Sequence, residues 1–168
     1  MKRPTLYIET SVFGFYYDEK EENKFRKEAS VKLFDQISKG LFAAYYSTVT
    51  LAKLQKSKDP VKRQRLLKLI DRFGLERLPE PEEFEDVGKL ATSFIEQKII
   101  PVIKKDDAFH LAIAILSPPI DYLVTWNYKH LANINILRQI KSASLSIGYE
   151  VKFDVVTPEE VIYYEGEV

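Results

Sequence analysis

From Ala108 to Leu116 the chain reads A-F-H-L-A-I-A-I-L, apolar on almost every side of a helix, and Pro118-Pro119 ends the run. A helix tolerates such a surface only when protein surrounds it. The run is far shorter than the roughly 18 apolar residues of a membrane span, so it predicts a central buried helix.

The rest of the chain alternates between strand-like and helix-length segments. Thr5-Leu6-Tyr7-Ile8-Glu9 is a β-branched and aromatic run that ends at Thr10-Ser11, both good helix N-cap residues. Between Asn23 and Lys39, Ala29, Leu33 and Ile37 recur every fourth position beside Phe34, and Gly40 follows as a stop signal. A strand is expected at Phe42 to Tyr46 and a helix from Ser47 to Ser57. Pro60 restarts the helix, with Leu66, Leu69, Ile70 and Phe73 on one face up to Gly74. Leu75 to Leu78 fits a brief strand. After Pro79 and Pro81, the residues Phe84, Val87, Ala91, Phe94 and Ile95 again mark one helical face. Tyr122 to Trp126 reads as a strand and Leu131 to Ser142 as a helix. Val151, Phe153 and Val155 alternate with Lys152 and Asp154 as in an edge strand. Strands separated by helix-length connections predict a three-layer α/β/α sandwich around a mostly parallel sheet, with any site at the carboxyl ends of the strands. The 168 residues fit one domain, 1–168, without internal repeat or linker.

Composition narrows the chemistry. With no cysteine there is no disulfide, thiolate metal site or thiol nucleophile, and a reducing cytoplasm is the expected location. The opening M-K-R-P-T-L-Y-I-E has a charge inside its apolar stretch, and neither export nor membrane insertion is expected. Basic and acidic residues both number 25, so any contact with a polyanion must come from a local patch.

Three polar residues interrupt apolar surroundings where such a sheet would carry a site. Glu9 closes the first strand, Asp107 opens the buried helix, and Asn127 follows the fourth strand. An oxygen-only set of this kind suits Mg²⁺ or Mn²⁺, hard ions that keep several waters and take one or two carboxylates. Each position also has an ordinary structural explanation. An acid in the first turn of a helix favours the helix dipole, Asp106 fits an N-cap, and an acid at a strand end is often a solvated loop residue.

Y-I-E-T-S at Tyr7 to Ser11, D-A-F-H-L-A at Asp107 to Ala112 and T-W-N-Y-K-H-L-A-N at Thr125 to Asn133 together resemble the PIN-domain family, and the resemblance spans almost the entire chain. It implies the parallel sandwich read above and Mg²⁺- or Mn²⁺-dependent cleavage of RNA, often by the toxin of a toxin–antitoxin pair. It further implies an antitoxin protein as partner and a homodimer. On this resemblance Glu9 takes the family's first acidic position, Asp107 the acid at the start of the buried helix and Asn127 the last acidic position. Thr10, Ser11, Asp106 and Thr125 are neighbours that would support them. The remaining acid normally lies in the helix after the second strand, where this chain has Lys53. An ammonium ~5 Å from a metal opposes its charge by several kcal/mol even at an effective dielectric of ~20. Two function classes follow: a metal-dependent endoribonuclease impaired by Lys53, or a non-catalytic module that binds RNA or a protein. In the second, Lys53 would pair with Glu9 or Asp107 in place of the ion.

Other features are less specific. The stretch from Lys53 to Lys68 is strongly basic, and Lys56, Lys62, Arg63 and Arg65 are its candidate RNA contacts, although a solvated helix face explains it too. Glu76 to Asp86 is correspondingly acidic. His110 is expected to be a hydrogen-bonded core histidine. Tyr16-Tyr17 and Tyr45-Tyr46 could stack bases or simply pack. No G-x-S-x-G turn or Gly-rich phosphate loop is present, which argues against a serine hydrolase or a nucleotide-binding reading.

Overall fold

The computed structural model describes residues 2–81 and 84–167, so Glu82 and Glu83 of the acidic stretch lie outside the described residues. Five strands, β1 (Thr5–Ile8), β2 (Ala43–Tyr46), β3 (Glu76–Arg77), β4 (Tyr122–Val124) and β5 (Asp154–Val156), form one sheet in the order β3-β2-β1-β4-β5. Every pairing is parallel. Helices α1 (Thr10–Tyr16) and α2 (Lys24–Ser38) connect β1 to β2, and α3 (Thr48–Gln55) and α4 (Pro60–Phe73) connect β2 to β3. Helices α5 (Phe84–Glu96) and α6 (Lys105–Leu116) then lead to β4, α7 (Ile134–Ser146) leads to β5, and α8 (Pro158–Val161) follows it.

Alternation along the strands divides the core into two layers. Tyr7 and Leu123 point into one cluster with Leu90, Phe94, Leu111 and Ile113 of α5 and α6. Leu6, Ile8, Ala44 and Val124 point the other way, against α1, α2 and α4 through residues such as Phe13, Phe34 and Leu69. The sequence expectation of an α/β/α sandwich is met, with a sheet that is wholly parallel. Helix α6 is the predicted central helix: His110, Leu111, Ala112, Ile113 and Ala114 are all buried. No helix among the described residues is long and apolar enough to cross a membrane.

Some boundaries differ for local reasons. The helix expected from Leu131 starts at Ile134, because Asn133 accepts the backbone N–H groups of Asn135 and Ile136 and so sets the N-cap. Strand β4 ends at Val124, two residues early, since Trp126 N–H is taken by the Ser11 hydroxyl instead of the ladder. The edge strand is real, but its ladder covers only Asp154–Val156. Thr10 and Ser11 do not cap α1; Glu9 does, with its carboxylate on Ser11 N–H. Nor does Asp106 cap α6, which begins one residue earlier at Lys105.

Strand order places a topological switch between β1 and β4. From β1 the chain moves outward to β2 and β3, then returns to the other side of β1 for β4 and β5. Connections diverge there and leave a crevice at the carboxyl ends of the two strands. Glu9 directly follows β1, and Thr125, Trp126 and Asn127 directly follow β4.

Candidate functional site

Register brings the two strand ends level. Ile8 pairs with Val124, and Glu9 N–H donates to Val124 O at 3.0 Å. The Glu9 side chain, 3 % exposed, turns back over this junction. Its Oε2 accepts from Ser11 N–H at 3.0 Å, from the Ser11 hydroxyl at 2.5 Å and from the Thr125 hydroxyl at 2.8 Å. Three donors converging on one oxygen fix the rotamer of the carboxylate.

Asp107 reaches the same crevice from the first turn of α6, nearly as deeply buried as Glu9. Its Oδ2 accepts from Asn127 Nδ2 at 2.9 Å, while Asn127 Oδ1 accepts from His130 N–H at 3.0 Å. Asn127 N–H in turn donates to Thr125 Oγ1 at 3.0 Å. A continuous chain of hydrogen bonds therefore joins Asp107, Asn127, Thr125 and Glu9. Burial raises the Asp107 pKa above its ordinary value, the Glu9 charge adds to this, and Lys53 and the Asn127 amide pull it back. The two carboxylates thus sense each other across one cleft.

Lys53 stands on α3 with its side chain about one-third exposed, and its Nζ lies 3.7 Å from Asp106 Oδ2. Its positive charge opposes the rise in the Asp107 pKa and adds to the fall in that of His110. The partner is Asp106, whereas the sequence suggested Glu9 or Asp107. Of the supporting neighbours, Ser11 and Thr125 clamp Glu9 and Asp106 holds Lys53. The buried Thr10 hydroxyl finds no partner among the described residues. Glu80 is a further carboxylate near these elements, but it binds Thr48 N–H and the Thr48 hydroxyl and serves as a cap for α3.

His110 is a core histidine, as expected, yet it also belongs to the site. Its Nδ1 lies 2.6 Å from the Tyr7 hydroxyl, which is itself 2.7 Å from Ser47 Oγ, and all three side chains are buried. The Nε2 edge has no hydrogen-bond partner within bonding distance but faces Glu9 Oε1 at 3.8 Å. The Tyr7 hydroxyl donates its one proton to Ser47 Oγ, so at the 2.6 Å contact it is Nδ1–H that donates to the Tyr7 oxygen. Burial pulls the His110 pKa down to about 4, with Glu9 acting in the opposite direction, so the ring is neutral at pH 7. Tyr7 and Ser47 were not among the site residues expected from the sequence. The cue was a tyrosine and a serine each one step from a strand end.

The donor set can be tested against the ion that the resemblance implies. Among the described residues, Glu9 Oε1 and one Asp107 oxygen are left without a hydrogen bond, on two carboxylates that repel each other. That fits a hydrated Mg²⁺ or Mn²⁺, which takes one or two carboxylates and completes its shell with water or phosphate. It does not fit a protein-only cage: no group of three or more histidine or acidic side chains among the described residues could hold an ion. Asn127 Oδ1 accepts one hydrogen bond, from His130 N–H, and keeps its second lone pair.

The basic stretch divides. Lys56 and Lys62 are exposed, Arg63 donates to Ser57 O at 3.1 Å, and the Arg65 guanidinium lies 4.3 Å from the centre of the Tyr17 ring. A groove of about 780 Å³ elsewhere, between α1, α2 and α4, mixes Lys20, Lys24 and Lys27 with Asp18, Glu19 and Glu28. With charges of both signs it offers no field for a polyanion. Neither a model of a known protein family nor a curated protein matches the chain, so a functional reading rests on the geometry of the cleft between β1 and β4.

Proposed function

We propose that the chain is a PIN-type endoribonuclease that cleaves RNA phosphodiesters at this cleft, with Glu9 and Asp107 holding a Mg²⁺ or Mn²⁺ ion. The observation that carries the reading is the pair of buried carboxylates at the topological switch, each with an oxygen to spare, with the Glu9 charge raising the cost of ionising Asp107. An ion held there supplies polarisation of the phosphodiester and a lower pKa for an attacking water. The protein's own part is positional. Ser11 and Thr125 lock the Glu9 rotamer, the buried His110 ring packs against the opposite oxygen, and Asn127 orients Asp107. Lys53 lowers the affinity for a cation, so the centre is weak and needs a high ion concentration. As a toxin-type protein it would work in the cytoplasm, paired with a second copy and held in check by an antitoxin protein.

The second reading, a non-catalytic PIN-fold module for RNA or a protein, is favoured by one observation: the Lys53 ammonium already puts a positive charge beside Asp106 and Asp107. Titration of Mn²⁺ into the purified protein separates the two. The nuclease reading expects weak, saturable binding that Mg²⁺ competes for, that Asp107→Asn removes, and that tracks cleavage of single-stranded RNA. No binding and no cleavage at any Mn²⁺ concentration leaves the non-catalytic reading.

Lys62 and Arg65 test the basic face. If α4 touches RNA phosphates, reversing both charges weakens RNA binding and flattens the slope of log affinity against log salt by about 0.7 for each phosphate no longer neutralised. A slope equal to that of the parent protein returns this face to the role of solvated surface.

A further inference from the structure

Trp126 connects the cleft to an aromatic patch that the site itself does not use. Its backbone N–H is fixed by Ser11 Oγ at 2.9 Å, its Nε1 donates to Ser30 Oγ at 2.8 Å, and the indole is buried. Two exposed rings meet this indole. Phe25, from the first turn of α2, has its centroid 5.5 Å from it, and Tyr128, one residue beyond Asn127, lies at 6.1 Å. They are 48 % and 44 % exposed. The Arg26 guanidinium lies over the rings of Phe25 and Phe15 at 5.6 and 5.2 Å. Its Nη1 makes one long bond to Asn23 at 3.4 Å, and its Nε is buried with no partner among the described residues. Of the tyrosine pairs noted in the sequence, Tyr16 and Tyr17 make a poorer platform: they are packed edge to face, and Tyr16 is wedged against Phe34 and Phe73.

We propose that Phe25 and Tyr128, backed by Trp126 and flanked by Arg26, form a stacking subsite for an unpaired RNA base next to the phosphate held at the Glu9–Asp107 cleft. This rests on the RNA reading of that cleft. One scattered exposed aromatic is ordinary, but two that converge on one buried indole beside an under-bonded guanidinium form a built surface. Every nucleobase offers a π-face to such rings, and the adjoining phosphate complements the cation. Reach is assured by the chain itself, since Tyr128 is ~3.8 Å along the backbone from Asn127, whose amide touches Asp107. The base must be unpaired, because a helix keeps its base faces stacked inside and displays only edges. Glu159 and Glu160 act on the Tyr128 hydroxyl from the α8 side, opposing Arg26. Their charge keeps the RNA backbone off that side and leaves the rings for the base.

The test uses the full chain, without added metal and in chelator, with a single-stranded RNA carrying 2-aminopurine and the same RNA annealed to its complement. The parent protein should bind the single strand in preference and quench the probe by stacking. Phe25→Leu and Tyr128→Leu keep apolar area but remove the ring. Each should weaken single-strand binding about tenfold and relieve the quenching, with the salt slope unchanged. Phe25→Trp and Tyr128→Phe should restore both, which a fold defect would not do. Leucine variants that bind and quench like the parent, or duplex binding as tight as single-strand binding, overturn the subsite. A parent protein that binds RNA without quenching overturns the subsite alone, and one that binds no RNA either in chelator or at saturating Mn²⁺ overturns the RNA reading with it.

Discussion

Lys53→Glu is expected to raise the affinity for Mn²⁺ by about 100-fold. Lys53 acts on Asp107 across the cleft, so the exchange changes the local charge by two units. At ~5 Å and an effective dielectric of ~20, one unit opposite a divalent ion is worth about 7 kcal/mol before screening. The side chain is about one-third exposed, and solvent cuts that figure to roughly 1.4 kcal/mol per unit, a factor of ~10 each. Lys53→Gln, which removes the charge without adding a ligand, should therefore gain only about tenfold. The ion pair with Asp106, absent from both variants, is partly exposed and adds little. In chelator, Lys53→Glu crowds acids around Asp107 and should lower the melting temperature, which Mn²⁺ then restores. Calorimetric titration of the parent and both variants reads all of this, and cleavage should rise in the same order. Equal affinities in the three proteins would mean that position 53 does not sense the ion.

The layer architecture was legible because hydrophobic period is a local property. The all-round apolar run after Asp107 could only be a surrounded helix, and the alternation of strand and helix lengths could only close as a parallel sheet. Glu9, Asp107 and Asn127 were legible for a related reason, as polar residues in apolar context at element ends. What the sequence could not convey was which polar group meets which. Asn127 reads as an oxygen donor, and its amide also bonds Asp107 and His130 N–H, while Lys53 pairs with Asp106 because α3 and α6 approach in space. His110 reads as core, which it is, yet that its Nε2 faces Glu9 depends on how α6 packs against β1. The convergence of Phe25 and Tyr128 on the Trp126 indole joins residues far apart in sequence and had no local signal. Helix α8 was missed although Thr157 and Glu160 carry the spacing of a capping box, a signal too short to register without its packing.

Acid should destabilise the metal-free protein well before its ordinary carboxylates titrate, and His110 is the reason. Its pKa is near 6.5 in the unfolded chain and about 4 in the folded one, because burial disfavours the imidazolium. Between those values the unfolded state binds more protons than the native state, so stability falls as pH falls. Above pH 6.5 this penalty is absent, and below about pH 4 it is complete. The full difference is on the order of 3 kcal/mol, of which about 2 kcal/mol is lost between pH 6.5 and 5. Asp107 works with the opposite sign. Its raised pKa means that the folded state takes up a proton before the unfolded one, which relieves repulsion with Glu9 and offsets part of the loss at lower pH. The interval from pH 6.5 to 5 is therefore where His110 should dominate. Urea unfolding in chelator at pH 7.5, 6.5 and 5 measures it. His110→Gln lowers stability at neutral pH, since the bond to Tyr7 is disturbed, but should remove most of the slope across that interval. His130→Gln, the control at the only other histidine, should keep it. A parent protein as stable at pH 5 as at pH 7.5, or an unchanged slope in His110→Gln, would show that the imidazole is hydrated and free to charge in the native state.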